Sequence, residues 1–291
     1  MTSHCAFTTI IPAHNEEAVI GRCLETILRD APSGHQMEII VAANGCRDRT
    51  VEIARAVAPG IRVLDLPNGS KTGAINAAND IASHFPRIYL DADVDCSFVT
   101  LAALANVLCE PGVMTAAPAI RMDYTSLNWL ARAYYRAWMR QPYAKAGKGG
   151  AGCYGLSRAA LEAIGGFPAI IADDLWIHTR FPDHQKRYIA HDAEGREVFT
   201  VVRPPRTATE QIRVEARRQI GTLEVLQSHP SPHLANHRTE GGLGAAMRSG
   251  VSLPDLAIFF GVKLLARLDA RWRRVRGKAS IWTRDLSSRQ A

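Results

Sequence analysis

Short β-rich runs alternate with helical stretches through the first 120 residues of this 291-residue chain, and that alternation limits the fold more than any single motif does. Apolar and β-branched runs fall at 7–12, 37–42, 61–66, 87–91 and 113–119, with amphipathic stretches at 16–29, 48–58, 71–83 and 98–109 between them. Strands separated by helices pack as a mostly parallel, Rossmann-like sheet flanked by helices, an α/β architecture. Such sheets hold ligands beyond the carboxyl ends of their strands. Three polar clusters, at 13–17, 43–49 and 91–95, each follow a predicted strand, so a site is expected along that one edge.

The chain is long enough for a large core at 1–228 plus a helical extension at 229–291, with a proline- and histidine-rich stretch at 229–237 as the boundary. Hydrophobic content of 47% and charged content of 22% exclude a disordered chain. The net charge of +7 is concentrated near the end, where Arg267, Arg271, Arg273, Arg274, Arg276 and Lys278 cluster, a local basic surface for an anionic partner. Six scattered cysteines without a Cys-x-x-Cys pair suggest a reducing compartment. The chain runs from Met1 straight into its first strand, so a cytoplasmic location is expected.

The third cluster, Asp91-Ala92-Asp93-Val94-Asp95, follows the apolar run Ile88-Tyr89-Leu90. A continued strand would point all three carboxylates to one face. They repel unless a cation joins them, and hard oxygen ligands select magnesium, manganese or calcium, with substrate phosphates and water completing the shell. A solvated acidic turn explains the same residues without a ligand.

Other patterns are weaker. Gly150-Ala151-Gly152-Cys153-Tyr154-Gly155 has the letters of a dinucleotide fingerprint, but it follows no β-branched run and lies past the midpoint, so a flexible glycine loop is expected at 145–155. Gly69-Ser70-Lys71-Thr72 lacks the glycines of a phosphate-binding P-loop. His229, His233 and His237 recur every four residues, yet Pro230 and Pro232 argue against the helix that would align them as metal ligands. Trp129, Tyr134, Tyr135 and Trp138 read as a core-packing helix at 128–140.

Taken in order, Ile11-Pro12-Ala13-His14-Asn15-Glu16-Glu17, Val41-Ala42-Ala43-Asn44-Gly45-Cys46-Arg47-Asp48, Gly69-Ser70-Lys71-Thr72-Gly73, Asp91-Ala92-Asp93, Gly165-Gly166-Phe167-Pro168 and Asp173-Asp174-Leu175 resemble the family 2 glycosyltransferases. These are GT-A-fold enzymes that use nucleotide-sugar donors, and the resemblance spans residues 7–222. It implies an inverting transfer to an acceptor hydroxyl, of the kind used in cell-envelope polysaccharide, glycolipid or lipid-linked glycan synthesis. It also implies that Pro12, Ala13, His14, Asn15 and Glu16 hold base and ribose, and that Asn44 stands where the family often has an Asp facing a uracil N–H, with uridine as first choice. Asn15 serves equally as a helix cap. By the same resemblance Lys71 lies near the diphosphate, where a plain surface lysine is the alternative. Asp93 is the implied manganese or magnesium ligand, Asp91 is shared between ribose and metal, and Asp95 is only a strand-end residue. Asp174 is the implied general base, with Asp173 beside it. Arg213, Arg217 and Arg218, on a helix at 210–226, are placed for the leaving diphosphate; an exposed amphipathic helix explains them too.

A nucleotidyltransferase on a similar scaffold is the second reading; it calls for a glycine-rich basic loop after the first strand, where this chain has Pro12 to Glu16. Binding to nucleic acid finds no reading motif and is not expected. Near the end, Leu256, Phe260, Leu264, Leu268 and Trp272 form one stripe, and Lys263, Arg267, Arg271 and Arg274 a second. A helix lying at an anionic membrane surface through 253–276 and a helix docked on the catalytic domain both fit.

Overall fold

The computed structural model describes residues 5–141, 144, 152–233 and 250–276. Strands β1 (Phe7–Ala13), β2 (Met37–Asn44), β3 (Ile61–Leu66) and β4 (Arg87–Leu90) pair in parallel in the order β3-β2-β1-β4. The crossovers carry helices α1 (Ile20–Arg29), α2 (Thr50–Val57) and α3 (Lys71–Ile81). Alternation along β1 sends Phe7 and Ile11 into a core shared with α1, and Ile10 into one shared with α3. Burial on both faces explains why β1, β2 and β4 read as apolar runs, whereas the edge strand β3 is only partly buried.

Beyond β4 come β5 (Val94–Cys96), α4 (Phe98–Leu108), β6 (Thr115–Met122), α5 (Trp129–Met139), β7 (Cys153–Leu156), α6 (Arg158–Ile164) and α7 (Asp173–Arg180). Then follow β8 (Lys186–Ile189), β9 (Phe199–Val202), α8 (Ala208–Ser228) and α9 (Leu253–Val275). Together the strands make one sheet ordered β3-β2-β1-β4-β7-β6-β9-β5, with β8 beside β6. Among the described strands, the β4–β7, β6–β7 and β5–β9 pairs are antiparallel.

Several expectations are corrected. The helix expected at 16–29 begins at Ile20, because Asn15 adopts a left-handed φ of 51° and the Glu16 N–H donates to Thr50 Oγ1 at 2.6 Å. Asn15 therefore belongs to a loop and does not cap the helix, whose N-cap is Val19. The strand expected at 113–119 spans Thr115–Met122. Of the glycine stretch expected as a loop, 145–151 lies outside the described residues, and Cys153–Leu156 forms the antiparallel strand inserted between β4 and β6. Four residues bounded by glycine carry too little periodicity to announce a strand. Tyr134, Tyr135 and Trp138 pack in the core as expected, whereas Trp129 is 71% exposed. His229 closes α8, the His233 N–H donates to Thr179 O at 3.2 Å, and His237 lies outside the described residues.

The C-terminal stripe divides. Leu256 is buried, and Phe259, Val262, Ala266 and Ala270 are buried in clusters with residues of α5 and α8, while Leu264, Leu268 and Trp272 are exposed. A four-residue step overshoots the helical repeat by about 40°, so a stripe of five such positions swings by about 160°, from the docked face to the solvent face. No helix among the described residues is long and apolar enough to cross a membrane.

Candidate active site

The loop after β1 is laced to the loop after β2. Arg47 N–H donates to Asn15 Oδ1 at 2.6 Å, Glu17 N–H to Asp48 Oδ2 at 3.2 Å, and Arg49 N–H to Glu17 Oε2 at 3.1 Å, while His14 Nδ1 contacts Asn44 O. Gly45, at φ 59°, passes so close to the next loop that a Cβ there would lie 2.8 Å from Gly69 N, which requires glycine. These turns frame a polar cleft of about 390 Å³ lined by His14, Asn15, Gly45, Cys46, Arg47, Asp65, Leu66, Pro67 and Gly69.

Pro12 and Ala13 are strand residues, Ala13 is fully buried, and neither lines this cleft. Glu16 is buried in the turn below it. Asn44 does not line it: its side chain donates to Ala13 O at 2.9 Å and Ala42 O at 3.3 Å and cross-links β1 to β2. Asp65, at the carboxyl end of β3, was missed in the sequence although the rule that marked the other strand ends applies to it equally. A larger cleft, about 630 Å³ between α3, α6 and α7, contains none of the residues expected to bind donor or metal.

Beside the smaller cleft, charge accumulates. Lys71 opens α3, a position where the helix dipole disfavours a cation, yet its Nζ is held 2.9 Å from Asp91 Oδ1 and 3.2 Å from Asp173 Oδ1. Burial alone would depress this ammonium, but Asp173 and Asp91 raise it well above the ordinary lysine value. Asp173 is 2% exposed, and its Oδ2 accepts a hydrogen bond from Tyr154 Oη at 2.9 Å. Burial pushes the Asp173 carboxyl up while Lys71 draws it down, and the balance leaves it raised. Tyr154, absent from the sequence-derived site, reaches Asp173 because β7 sets it opposite Tyr89, with ring centroids 5.1 Å apart. Asp174, the next residue, is exposed and accepts the Leu175 N–H at 2.8 Å. Both acids lie in the first turn of α7, where the dipole favours them.

The three strand-end acids do not converge. The chain turns at 91–93 before β5, so Asp91 meets Lys71 while Asp95 is spent on Arg22 at 3.0 Å and Arg203 at 2.7 Å. Asp95 is structural, and Asp91 and Asp93, both partly exposed on the turn, present hard carboxylate oxygens. That donor set fits manganese or magnesium, which needs one or two protein carboxylates when phosphates supply further ligands. Gly152, at φ 61°, packs against the turn, where a Cβ would lie 3.3 Å from Asp91 Oδ2.

On α8, Arg218 Nη1 lies 3.9 Å from Glu215 Oε2. Burial would lower its guanidinium, but Glu215 and then Asp174 raise it above the ordinary arginine value. Arg217 is about 100° further round the helix, on the side shared with exposed Arg213.

The geometry can be set beside known proteins. No curated protein matches this chain in sequence. A mannosyltransferase of Pyrobaculum calidifontis, solved with GDP-Man and Mn2+, is similar over 94% of this chain and 89% of its own, at 21% identity and TM-score 0.65. Glucosyl-3-phosphoglycerate synthase of Mycobacterium tuberculosis, solved with phosphoglyceric acid, is similar over 78% of this chain and 82% of its own, at 18% identity and TM-score 0.52. At these identities the likeness is one of fold. The profile described as Glycosyl transferase family 2 matches residues 8–165, more than half of the chain, and the protein accordingly belongs to that family.

Proposed function

We propose that the protein transfers a sugar, with inversion, from a nucleoside-diphosphate sugar to a hydroxyl of a saccharide or lipid-linked acceptor in cell-envelope glycan synthesis. The observation that carries this reading is Lys71 bridging Asp91 and Asp173 in front of exposed Asp174. Donor-side and acceptor-side acids are thereby fixed relative to one another before substrate arrives. Asp174, free of a salt bridge to Lys71 itself, takes the acceptor proton as the hydroxyl oxygen attacks the anomeric carbon from the face opposite the leaving group. Tyr154 and Lys71 hold Asp173 still behind it. Arg218 supplies a guanidinium for the departing diphosphate.

Asp93 and Asp91 would hold manganese or magnesium. Such an ion supplies charge neutralisation for the leaving pyrophosphate. Uridine is the proposed base; since Asn44 is turned into the sheet, its N–H would be accepted by exposed Asp65 in the cleft. A thermal-shift panel of nucleoside diphosphates with and without manganese tests the donor site, because a ligand of the native state raises apparent stability. A shift with UDP and manganese is expected, and no shift with any nucleotide would reject the reading.

We further propose peripheral contact with the cytoplasmic face of a membrane. Leu253, Leu264, Leu265, Leu268, Trp272 and Val275 are exposed on α9, with exposed Arg267, Arg271 and Arg274 on the same side of the helix. Apolar side chains bordered by arginine suit an anionic lipid surface. Sedimentation with phosphatidylglycerol vesicles, lost in Leu268→Ser/Trp272→Ser and absent with phosphatidylcholine, is the expected result.

A further inference from the structure

At the end of the sheet away from the donor cleft, two thiols meet. Cys5 leads into β1, whose other end opens the cleft, and Cys109 is the C-cap of α4, whose first residue lies next to β5. Their Sγ atoms are 2.7 Å apart, closer than two unbonded sulfurs ordinarily stand, and the residues are 104 apart in sequence. Cys109 is exposed, Cys5 half-buried with Asn106 Oδ1 3.8 Å from its sulfur, and Cys23, Cys96 and Cys153 are buried elsewhere. Burial, and then Cys109 itself, push the Cys5 thiol up to about 12.

We propose that Cys5 and Cys109 are a modification site: a dithiol that closes reversibly to a disulfide by exchange with a small-molecule disulfide. The exposed Cys109, as thiolate, attacks one sulfur of that disulfide and expels a thiolate, which takes up a proton. Capping Cys109 removes its contribution to holding Cys5 protonated. The Cys5 thiolate then attacks Sγ of Cys109 and releases the second small thiol. Two protein thiols are oxidised, one disulfide is reduced to two thiols, and the two protein protons end on the released thiols. Exposed pairs of this kind are the labile ones, compatible with a reducing compartment, where disulfides are transient. The link ties the start of β1 to the end of α4 across a long loop and leaves the cleft untouched, so it stabilises the fold without altering catalysis. The inference is independent of the transferase reading.

The test treats the full chain with oxidised glutathione, alkylates the remaining thiols and maps peptides. The expected product is a monomer with Cys5 joined to Cys109, an apparent midpoint raised on the order of 5–10 °C and reversed by dithiothreitol, and unchanged nucleotide binding. Cys109→Ser, at an exposed position, should fold normally and show neither link nor shift. A glutathione adduct persisting on Cys109 with Cys5 alkylated, a link between two chains, or a linked monomer without raised stability would each overturn the proposal.

Discussion

Two clusters of charge in this protein, one centred on Lys71 and one on Glu215, carry surplus charge of opposite sign. Around Lys71, one ammonium faces Asp91 and Asp173, with Asp174 close enough to raise it further. Around Glu215 on α8, one buried carboxylate contacts Lys263 of α9, lies 3.9 Å from Arg218 and accepts from Tyr134 Oη at 3.3 Å. The first cluster carries more acid than base beside an open cleft; the second carries more base than acid, and Asp174 is among the charges that raise its Arg218. A buried pair with matched charge stabilises or specifies a fold, whereas an excess at a cleft marks where a ligand's charge is due. On this reading the acidic excess awaits a divalent cation and the basic excess a pyrophosphate.

Breaking the comparison on its acidic side should have the largest consequence. Asp174→Asn keeps the shape but removes the proposed proton acceptor, and turnover should fall roughly 10³-fold with nucleotide affinity unchanged, measured by steady-state kinetics beside calorimetry. Lys71→Met leaves Asp173 buried without its cation; a loss of about 3 kcal/mol in denaturant unfolding is expected, together with impaired transfer. On the basic side Glu215→Gln should cost about 2 kcal/mol and leave donor binding nearly intact, because it leaves Lys263 without its buried acid while Arg218 is retained.

The same residue gives a pH signature. Burial would raise the Glu215 carboxyl, but Lys263 and Arg218 hold it below the ordinary glutamate value, while burial lowers Lys263 in spite of its partner. A carboxyl depressed in the folded state contributes stability that is full above its unfolded value of about 4.3 and is lost as pH falls through the folded value. Thermal midpoints of the wild type should therefore drop more steeply than those of Glu215→Gln below about pH 4.3; parallel curves would remove Glu215 from the docking of α9. The smallest expected effect is Tyr154→Phe, about 1 kcal/mol in stability and a few-fold in turnover, since Lys71 still holds Asp173.

What could be read in advance follows the same division. The parallel half of the sheet was legible because β1, β2 and β4 are buried on both faces and a helix separates each strand from the next, so β1 to β4 appear within a few residues of their expected bounds. The short strands β7, β8 and β9 were not, because four residues paired with distant partners leave no local period. Asp91, Asp93, Asp173 and Asp174 could be named from their order along the chain, yet the bridge through Lys71 and the support from Tyr154 depend on strand pairing that brings distant segments together. Asn44 shows the converse: its place in the motif suggested the cleft, and its side chain instead satisfies carbonyls of β1 and β2. The C-terminal stripe misled through its four-residue step, which a helix does not keep on one face.

The central claim, that surplus carboxylate beside the cleft takes a divalent cation which in turn secures a pyrophosphate, is tested most directly by calorimetric titration of UDP with and without manganese. Binding should tighten at least tenfold, about 1.4 kcal/mol, when manganese is present, and the gain should vanish in Asp93→Ala. Equal affinity in both conditions would contradict it.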